Sequence, residues 1–246
     1  MKVIFNADDF GLTEGVNTGI VDAFHQGVVR STTMMVAMPA EKHAVQLAAD
    51  LPELKVGLHL RFTTGKPLTH HKSLTNWTGN FPTIPHFWQK RDFAPVEVYE
   101  EVVAQVERFL SLGLPLSHID SHHHAHTHPQ ITNIVSEVAQ QYQVPLRGVG
   151  LEGSKQVNNQ YLFTDQFYDD KISIEHAKKL MIRYESRCEV LEVMCHPAYV
   201  DGQLSLMSSY LDQREEELRT LSSPDFRVFL QQRGIQVTDY SVLAST

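Results

Sequence analysis

Short apolar runs alternate with helical stripes along the whole chain, and this alternation limits the fold more than any other feature of the sequence. Val3–Phe5 reads as a buried strand that stops at Asn6-Ala7-Asp8-Asp9. From Thr13 to about Gln26, Val16, Ile20, Val21 and Phe24 recur at helical spacing, and Gly27 is a stop signal. Further strands are expected at Thr32–Val36, Lys55–Leu60, Leu116–Ile119, Val144–Val149, Glu189–Met194 and Ile235–Thr238. Helices are expected at Ala40–Asp50, Val96–Leu112, Ile131–Tyr142, Ile174–Tyr184, Gln213–Leu221 and Asp225–Arg233. Strand and helix in turn predict a parallel sheet wrapped by helices. A length of 246 residues suits one α/β barrel, so the reading is a single domain over 1–246 with about seven strands. An open doubly wound sheet competes, but no Gly-x-Gly-x-x-Gly follows the first strand.

The rhythm breaks between Arg61 and about Pro95. This stretch holds four prolines together with Trp77, Phe81, Phe87 and Trp88. Insertions of this kind serve as lids or binding loops, and the rings either stack on a sugar face or pack the loop down. Leu151–Gln160 and Ala198–Tyr210 read as loops. A net charge of −8 argues against a nucleic-acid partner. No run approaches the ~20 apolar residues of a membrane span, and no secretory signal is visible, so the expected location is cytoplasmic. Two cysteines make no disulfide framework.

Five of the 14 histidines fall within Asp120-Ser121-His122-His123-His124-Ala125-His126-Thr127-His128. Burying several imidazoles without partners is costly, so the run suits a strand-to-helix turn that carries chemistry. The other polar candidates share its placement. Asp8 and Asp9 follow the first strand, His59 ends the third, Arg147 lies near the end of the fifth, and His196 closes the sixth. Barrel enzymes build their sites on that face. Two histidines and a carboxylate form a common metal set, and Asp9, His59 and His122 supply one from three strands. Spacing alone leaves His122 and His124 both open as the ligand. Asp8 is placed to take a proton and His196 to give one. Each residue has a plainer reading: Asp8-Asp9 as a helix cap, His59 and His196 as structural imidazoles, Arg147 as half of an ion pair. Cys195, beside His196, reads as a small buried hydrophobe and not a nucleophile.

Asn6-Ala7-Asp8-Asp9-Phe10-Gly11, Gly57-Leu58-His59-Leu60, His118-Ile119-Asp120-Ser121-His122-His123-His124-Ala125-His126 and Met194-Cys195-His196-Pro197 resemble the YdjC/ChbG family of carbohydrate deacetylases. Arg30-Ser31-Thr32-Thr33 and Arg214-Glu215-Glu216-Glu217-Leu218 extend the resemblance over nearly the whole chain. It implies a distorted (β/α) barrel, a divalent ion, most simply Mg2+ with Zn2+ or another transition metal also suited, and a cytoplasmic homodimer. It also implies removal of N-acetyl groups from chitooligosaccharides or related sugars. On the same resemblance His59 and His122 carry the metal. Asp9 as third ligand and Asp8 as base follow by analogy with polysaccharide deacetylases. The expected chemistry is metal-assisted amide hydrolysis in which His196 protonates the departing nitrogen. A phosphoesterase on the same barrel and a non-catalytic sugar- or metal-binding protein are the rival readings.

Overall fold

The structure, a computed structural model, describes residues 1–148 and 160–243. Seven strands form one sheet: β1 (Lys2–Phe10), β2 (Ser31–Met34), β3 (Lys55–Leu60), β4 (Ile119–Ser121), β5 (Tyr161–Thr164), β6 (Val190–Cys195) and β7 (Gln236–Thr238). Their spatial order is β4-β3-β2-β1-β6-β5, and every pairing is parallel. β7 lies beside Lys2–Ile4, where β2 has not yet begun. The sheet curls into a half-barrel. Nine helices accompany it among the described residues: α1 (Glu14–Gln26), α2 (Glu41–Ala49), α3 (Ile84–Gln89), α4 (Pro95–Ser111), α5 (Thr132–Gln141), α6 (Ile174–Tyr184), α7 (Leu204–Met207), α8 (Asp212–Leu221) and α9 (Pro224–Gln232).

Two expectations need correction. β1 does not stop at Asn6; it continues through both aspartates to Phe10. The polar residues are carried because their side chains find partners inside the curl, so burial does not require an apolar run. The fifth strand is also displaced. Leu146 makes only an isolated bridge to Ile119, and β5 lies at Tyr161–Thr164 beside β6. The expected loop Leu151–Gln160 falls, except for Gln160, outside the described residues.

The two faces of the sheet differ in character. Val3, Phe5 and Ala7 of β1 join the main hydrophobic core, and Phe5 meets Phe226 of α9 edge-on at 5.7 Å. Burial of each such large side chain contributes roughly 1.5–3 kcal/mol. The alternate residue Ile4 belongs to a separate small cluster with Val190 and Tyr240. That inner face turns polar toward the carboxyl ends of the strands, where Asn6, Asp8, His59, Asp120 and Glu192 are all buried.

The 61–95 insertion is packed against α4. Val98, Val102, Val106 and Phe109 form the buried stripe of that helix. On the same helix, buried Glu101 accepts hydrogen bonds from the Leu68 and Thr69 amides at 3.0 and 2.9 Å. The Gln105 amide pairs with both N–H and C=O of Arg61, as a further strand would. Phe62, Phe81, Phe87 and Phe93 form an aromatic cluster under the insertion, with Trp88 and His128 against it. Most of the insertion's rings therefore pack the loop down.

Gly57 marks the tightest approach in the sheet. A Cβ there would lie 2.6 Å from the His118 ring and 2.7 Å from the His118 carbonyl oxygen. The ring has nowhere to go: its other face stacks on Tyr240 at 3.5 Å, and Nε2 meets the Asn6 Oδ1 at 3.1 Å. Gly57→Ala should therefore destabilise the fold by about 1–3 kcal/mol, as overpacking does, read as a lower urea midpoint at unchanged slope.

Candidate active site

Asp8 and Asp9 are consecutive on a strand, yet both face one cavity. A regular strand would send them to opposite faces. The register between β1 and β2 shifts between Ala7 and Phe10, and Asp9 has φ 72°, in the left-handed region. That conformation is strained for a residue with a Cβ and turns Asp9 back toward Asp8. The histidine run uses the same device. His123 and His124 both have φ 54°, and His122, His123 and His124 all line the cavity.

Asp9 Oδ1 is buried and has no hydrogen-bond partner. Two imidazole nitrogens face it, His122 Nδ1 at 3.0 Å and His59 Nε2 at 3.5 Å. One atom from each of the three residues lies within 4.8 Å of the others. The opposite carboxylate oxygen, Oδ2, accepts from Arg214 Nη2 at 2.7 Å, which leaves Oδ1 to the imidazoles. His59 is oriented from behind, where its Nδ1 meets Asp120 Oδ1 at 2.6 Å. Carboxylates that hold the far nitrogen of a ligand imidazole are a recurrent feature of metal centres. Asp8, His59 and Asp120 are also close enough to form a group. There, however, Arg147 already bonds both Asp8 oxygens and reaches Asp120 Oδ2. The orphaned oxygen makes Asp9, His59 and His122 the set that fits a cation. His124 is not part of it; its ring lies against Phe163 and His126.

Arg147 is buried inside the curl. Its guanidinium bonds Asp8 at 2.6 and 2.7 Å, Asp120 at 2.9 Å and Glu192 at 2.7 Å. Burial opposes ionisation of Asp8, but the charge and hydrogen bonds of Arg147 outweigh it and hold the carboxyl below its usual range. Asp9 is likewise lowered, against burial, by Arg214 and then His122. Burial by itself would lower His59, but Asp120, with Asp8 and Asp9, overcomes it and raises the imidazole. What these carboxylates do for a proton they also do for a metal cation. His122, by contrast, is lowered, because burial outweighs the pull of Asp9.

His196 stands across the cavity. Its Nε2 is 4.0 Å from Asp8 Oδ2, and its buried Nδ1 is 3.7 Å from Glu217 Oε1. Glu217 also accepts from the His196 amide and from Tyr210 Oη. Tyr168 and Tyr210 stack at 4.4 Å and together meet the imidazole edge-on from one side. The cavity encloses ≈ 740 Å³ between these groups, Thr63 and Thr64, and the Thr83–Pro85 corner of the insertion. Cys195 is buried with its thiol on the Asn6 carbonyl, and burial pushes it up, so it offers no nucleophile.

The structure thus brings Asp8, Asp9, His59, His122 and His196 to one cavity. Sequence reasoning missed Arg214, Glu217, Glu192 and the tyrosine pair. Glu192 had a visible signal, a carboxyl inside the apolar run Val190-Leu191-Glu192-Val193-Met194. Arg214 and Glu217 entered only as part of a helix segment that extends the resemblance, with no site role, and both are buried on α8.

A family model described as YdjC-like protein matches residues 2–232. The chain belongs to the YdjC-like family. A carbohydrate deacetylase of Vibrio cholerae serotype O1 is 57% identical over 245 residues, covering 100% of this chain and 97% of that one. One from Geobacillus stearothermophilus is 42% identical over 242 residues, covering 96% of each. Among solved structures, an Enterococcus faecalis V583 protein, described as a candidate for cellobiose-phosphate cleavage, superposes with a TM-score of 0.89. It shares 34% identity, and 99% of each chain is covered. The half-barrel is thus the fold of this YdjC-like chain and of that relative.

The buried imidazoles of this YdjC-like chain make its stability pH-dependent. Burial, reinforced by Arg147, pushes His126 down to about 3, and His118 is lowered well below its ordinary value. Between these folded values and the ordinary 6.5 of an unfolded histidine, the unfolded chain binds more protons, so stability falls as pH falls. Asp8 and Asp9 act in the same direction at lower pH, because their stabilisation is lost as they protonate. His59 is raised and opposes the trend. The urea midpoint should be lower at pH 5.5 than at pH 7.5; an equal or higher midpoint would contradict this balance.

Proposed function

We propose that the chain is a metal-dependent carbohydrate deacetylase that releases acetate from N-acetylated sugars of the chitooligosaccharide type and leaves an amino sugar. The reading rests on one observation above all: a buried, unpartnered Asp9 oxygen faces two imidazole nitrogens at the base of an open cavity. Relatives named carbohydrate deacetylase over the full chain support it. Asp9, His59 and His122 would hold a divalent cation. Mg2+ is the ion implied by the family resemblance, and Zn2+ or another transition metal equally suits two imidazoles and a carboxylate. When bound, such an ion polarises the acetyl carbonyl and acidifies a water.

The chain's own groups supply the proton transfers. Asp8 accepts the proton of the attacking water; Arg147 keeps it ionised and fixes its direction, at the cost of a weaker base. His196 protonates the sugar nitrogen as the C–N bond breaks. Glu217 lies by its Nδ1, which leaves Nε2 for the cavity. Tyr168 and Tyr210 meet that imidazole together from one side. The chain would work as one domain, in a cytoplasmic homodimer, as the resemblance implies. No helix among the described residues is long and apolar enough to cross a membrane.

A phosphoesterase needs cationic groups for its substrate. Arg147 is taken up by three carboxyls, and Arg214 bonds Asp9 through Nη2 while its buried Nη1 has no partner, so the site offers a phosphate at most one partly free guanidinium. A neutral amide substrate makes no such demand.

Acetate release from N-acetylated di- and trisaccharides, with and without chelator, tests the reading. Chelator should abolish release. His59→Ala and His122→Ala should lose both the metal, by calorimetric titration, and the activity. His196→Ala should still bind metal while kcat falls by about 10²–10⁴. Full turnover in His196→Ala would remove its assigned role, and binding of the sugar without acetate release would favour a non-catalytic receptor.

A further inference from the structure

We propose that the surface groove around Trp77 is a distal carbohydrate subsite, which takes sugar units of a longer substrate chain leaving the catalytic cavity. The inference rests on the deacetylase reading above. Trp77 is 96% exposed, although the insertion that carries it buries Phe81, Phe87 and Phe93 and packs Trp88 against them. The tip of the loop holds the indole out by construction. Asn76 Oδ1 accepts from the Thr78 amide and hydroxyl at 2.9 and 2.6 Å, the Asn76 amide bonds the Asn80 carbonyl at 2.8 Å, and Gly79 takes φ 76° to close the turn. The base of the same loop is fixed by Glu97, which accepts from the Ser73 amide at 2.9 Å.

Beside the ring lies a groove of ≈ 530 Å³, lined also by Ser73, Thr75, Asn76, Pro82, Gln89 and Lys90. Thr83 lines both this groove and the catalytic cavity, and Ile84 and Pro85 continue the cavity wall. A chain that fills the cavity therefore has the groove next to its exit. A pyranose presents a C–H face edged by hydroxyls. An indole and a proline ring match the face, and hydroxyl, amide and ammonium groups match the edge. A second protein copy fits less well. A stable interface buries about 800 Å² per partner around an apolar centre, and within 61–95 only Ile84 joins Trp77 as an exposed large apolar side chain.

The test compares wild type, Trp77→Ala and Trp77→Phe on the N-acetylglucosamine disaccharide and pentasaccharide, following acetate. In Trp77→Ala the pentasaccharide KM should rise about tenfold, with kcat within twofold and disaccharide kinetics unchanged. Trp77→Phe should recover most of the affinity. An unchanged pentasaccharide KM, or an equal loss on the disaccharide, would overturn the subsite and leave the deacetylase reading intact. Failure of wild type to deacetylate either sugar would instead bring down that reading, and the subsite with it. A change of oligomeric state in Trp77→Ala, by light scattering, would assign the ring to a second copy and also overturn the proposal.

Discussion

A single buried guanidinium ties the half-barrel together from inside. Arg147 bonds Asp8 on β1, Asp120 on β4 and Glu192 on β6, elements drawn from both sides of the curl. Each of these carboxyls would be costly alone in that interior, and so would the cation. Together they satisfy one another, so much that burial's tendency to lower Arg147 is overcome and the guanidinium is held well above its ordinary value. Removal of one member of such a buried group typically costs 3–5 kcal/mol, because the rest stay behind unpaired. Asp8 is aimed into the cavity by this bond, and Asp120, held by the same group, aims His59. The side chains that would do chemistry are thus placed by the electrostatics that let the sheet curl around a polar interior.

The second constraint is backbone geometry. Adjacent residues on a strand cannot normally serve one site. Asp9 does so through a left-handed φ and a register shift, and His123 and His124 keep three consecutive imidazoles around the same cavity by the same means. Non-glycine residues in that region cost of order 1–3 kcal/mol each. Three of the six such residues among the described residues, Asp9, His123 and His124, line the cavity, while Ala37, Gln143 and Asp169 lie outside its lining.

The sequence made the sheet-and-helix order legible because period-3.6 stripes such as Val98, Val102, Val106 and Phe109 and apolar strands such as Lys55–Leu60 follow directly from which face is buried. It made the site legible as a set of polar residues at strand ends. Two things stayed hidden for definable reasons. Strand limits were misjudged where polar residues are buried with partners, as at Asn6–Asp9, because hydropathy reports only the apolar half of burial. Partners from distant chain segments were also invisible. Arg214 and Glu217 share a helical face with Leu218 and Leu221, but only the docking of α8 over the cavity places them beside Asp9 and His196. Arg147 was read as half of an ion pair, and the tertiary structure makes it the hub of three.

The charge balance at the site points to the kind of molecule it accepts. Four buried carboxyl groups, those of Asp8, Asp9, Asp120 and Glu192, share two guanidiniums. Burial raises Glu192, to which Tyr161 donates a hydrogen bond, and this moderates the excess without removing it. The remaining negative field draws in a cation and disfavours an anion, and the one carboxylate oxygen left without a partner marks where that cation would sit. A neutral amide enters without opposing this field. On the proposed reading, the buried carboxylates hold the metal, and substrate recognition is left to groups around the rim: the tyrosine pair beside His196 and the insertion that reaches out to Trp77.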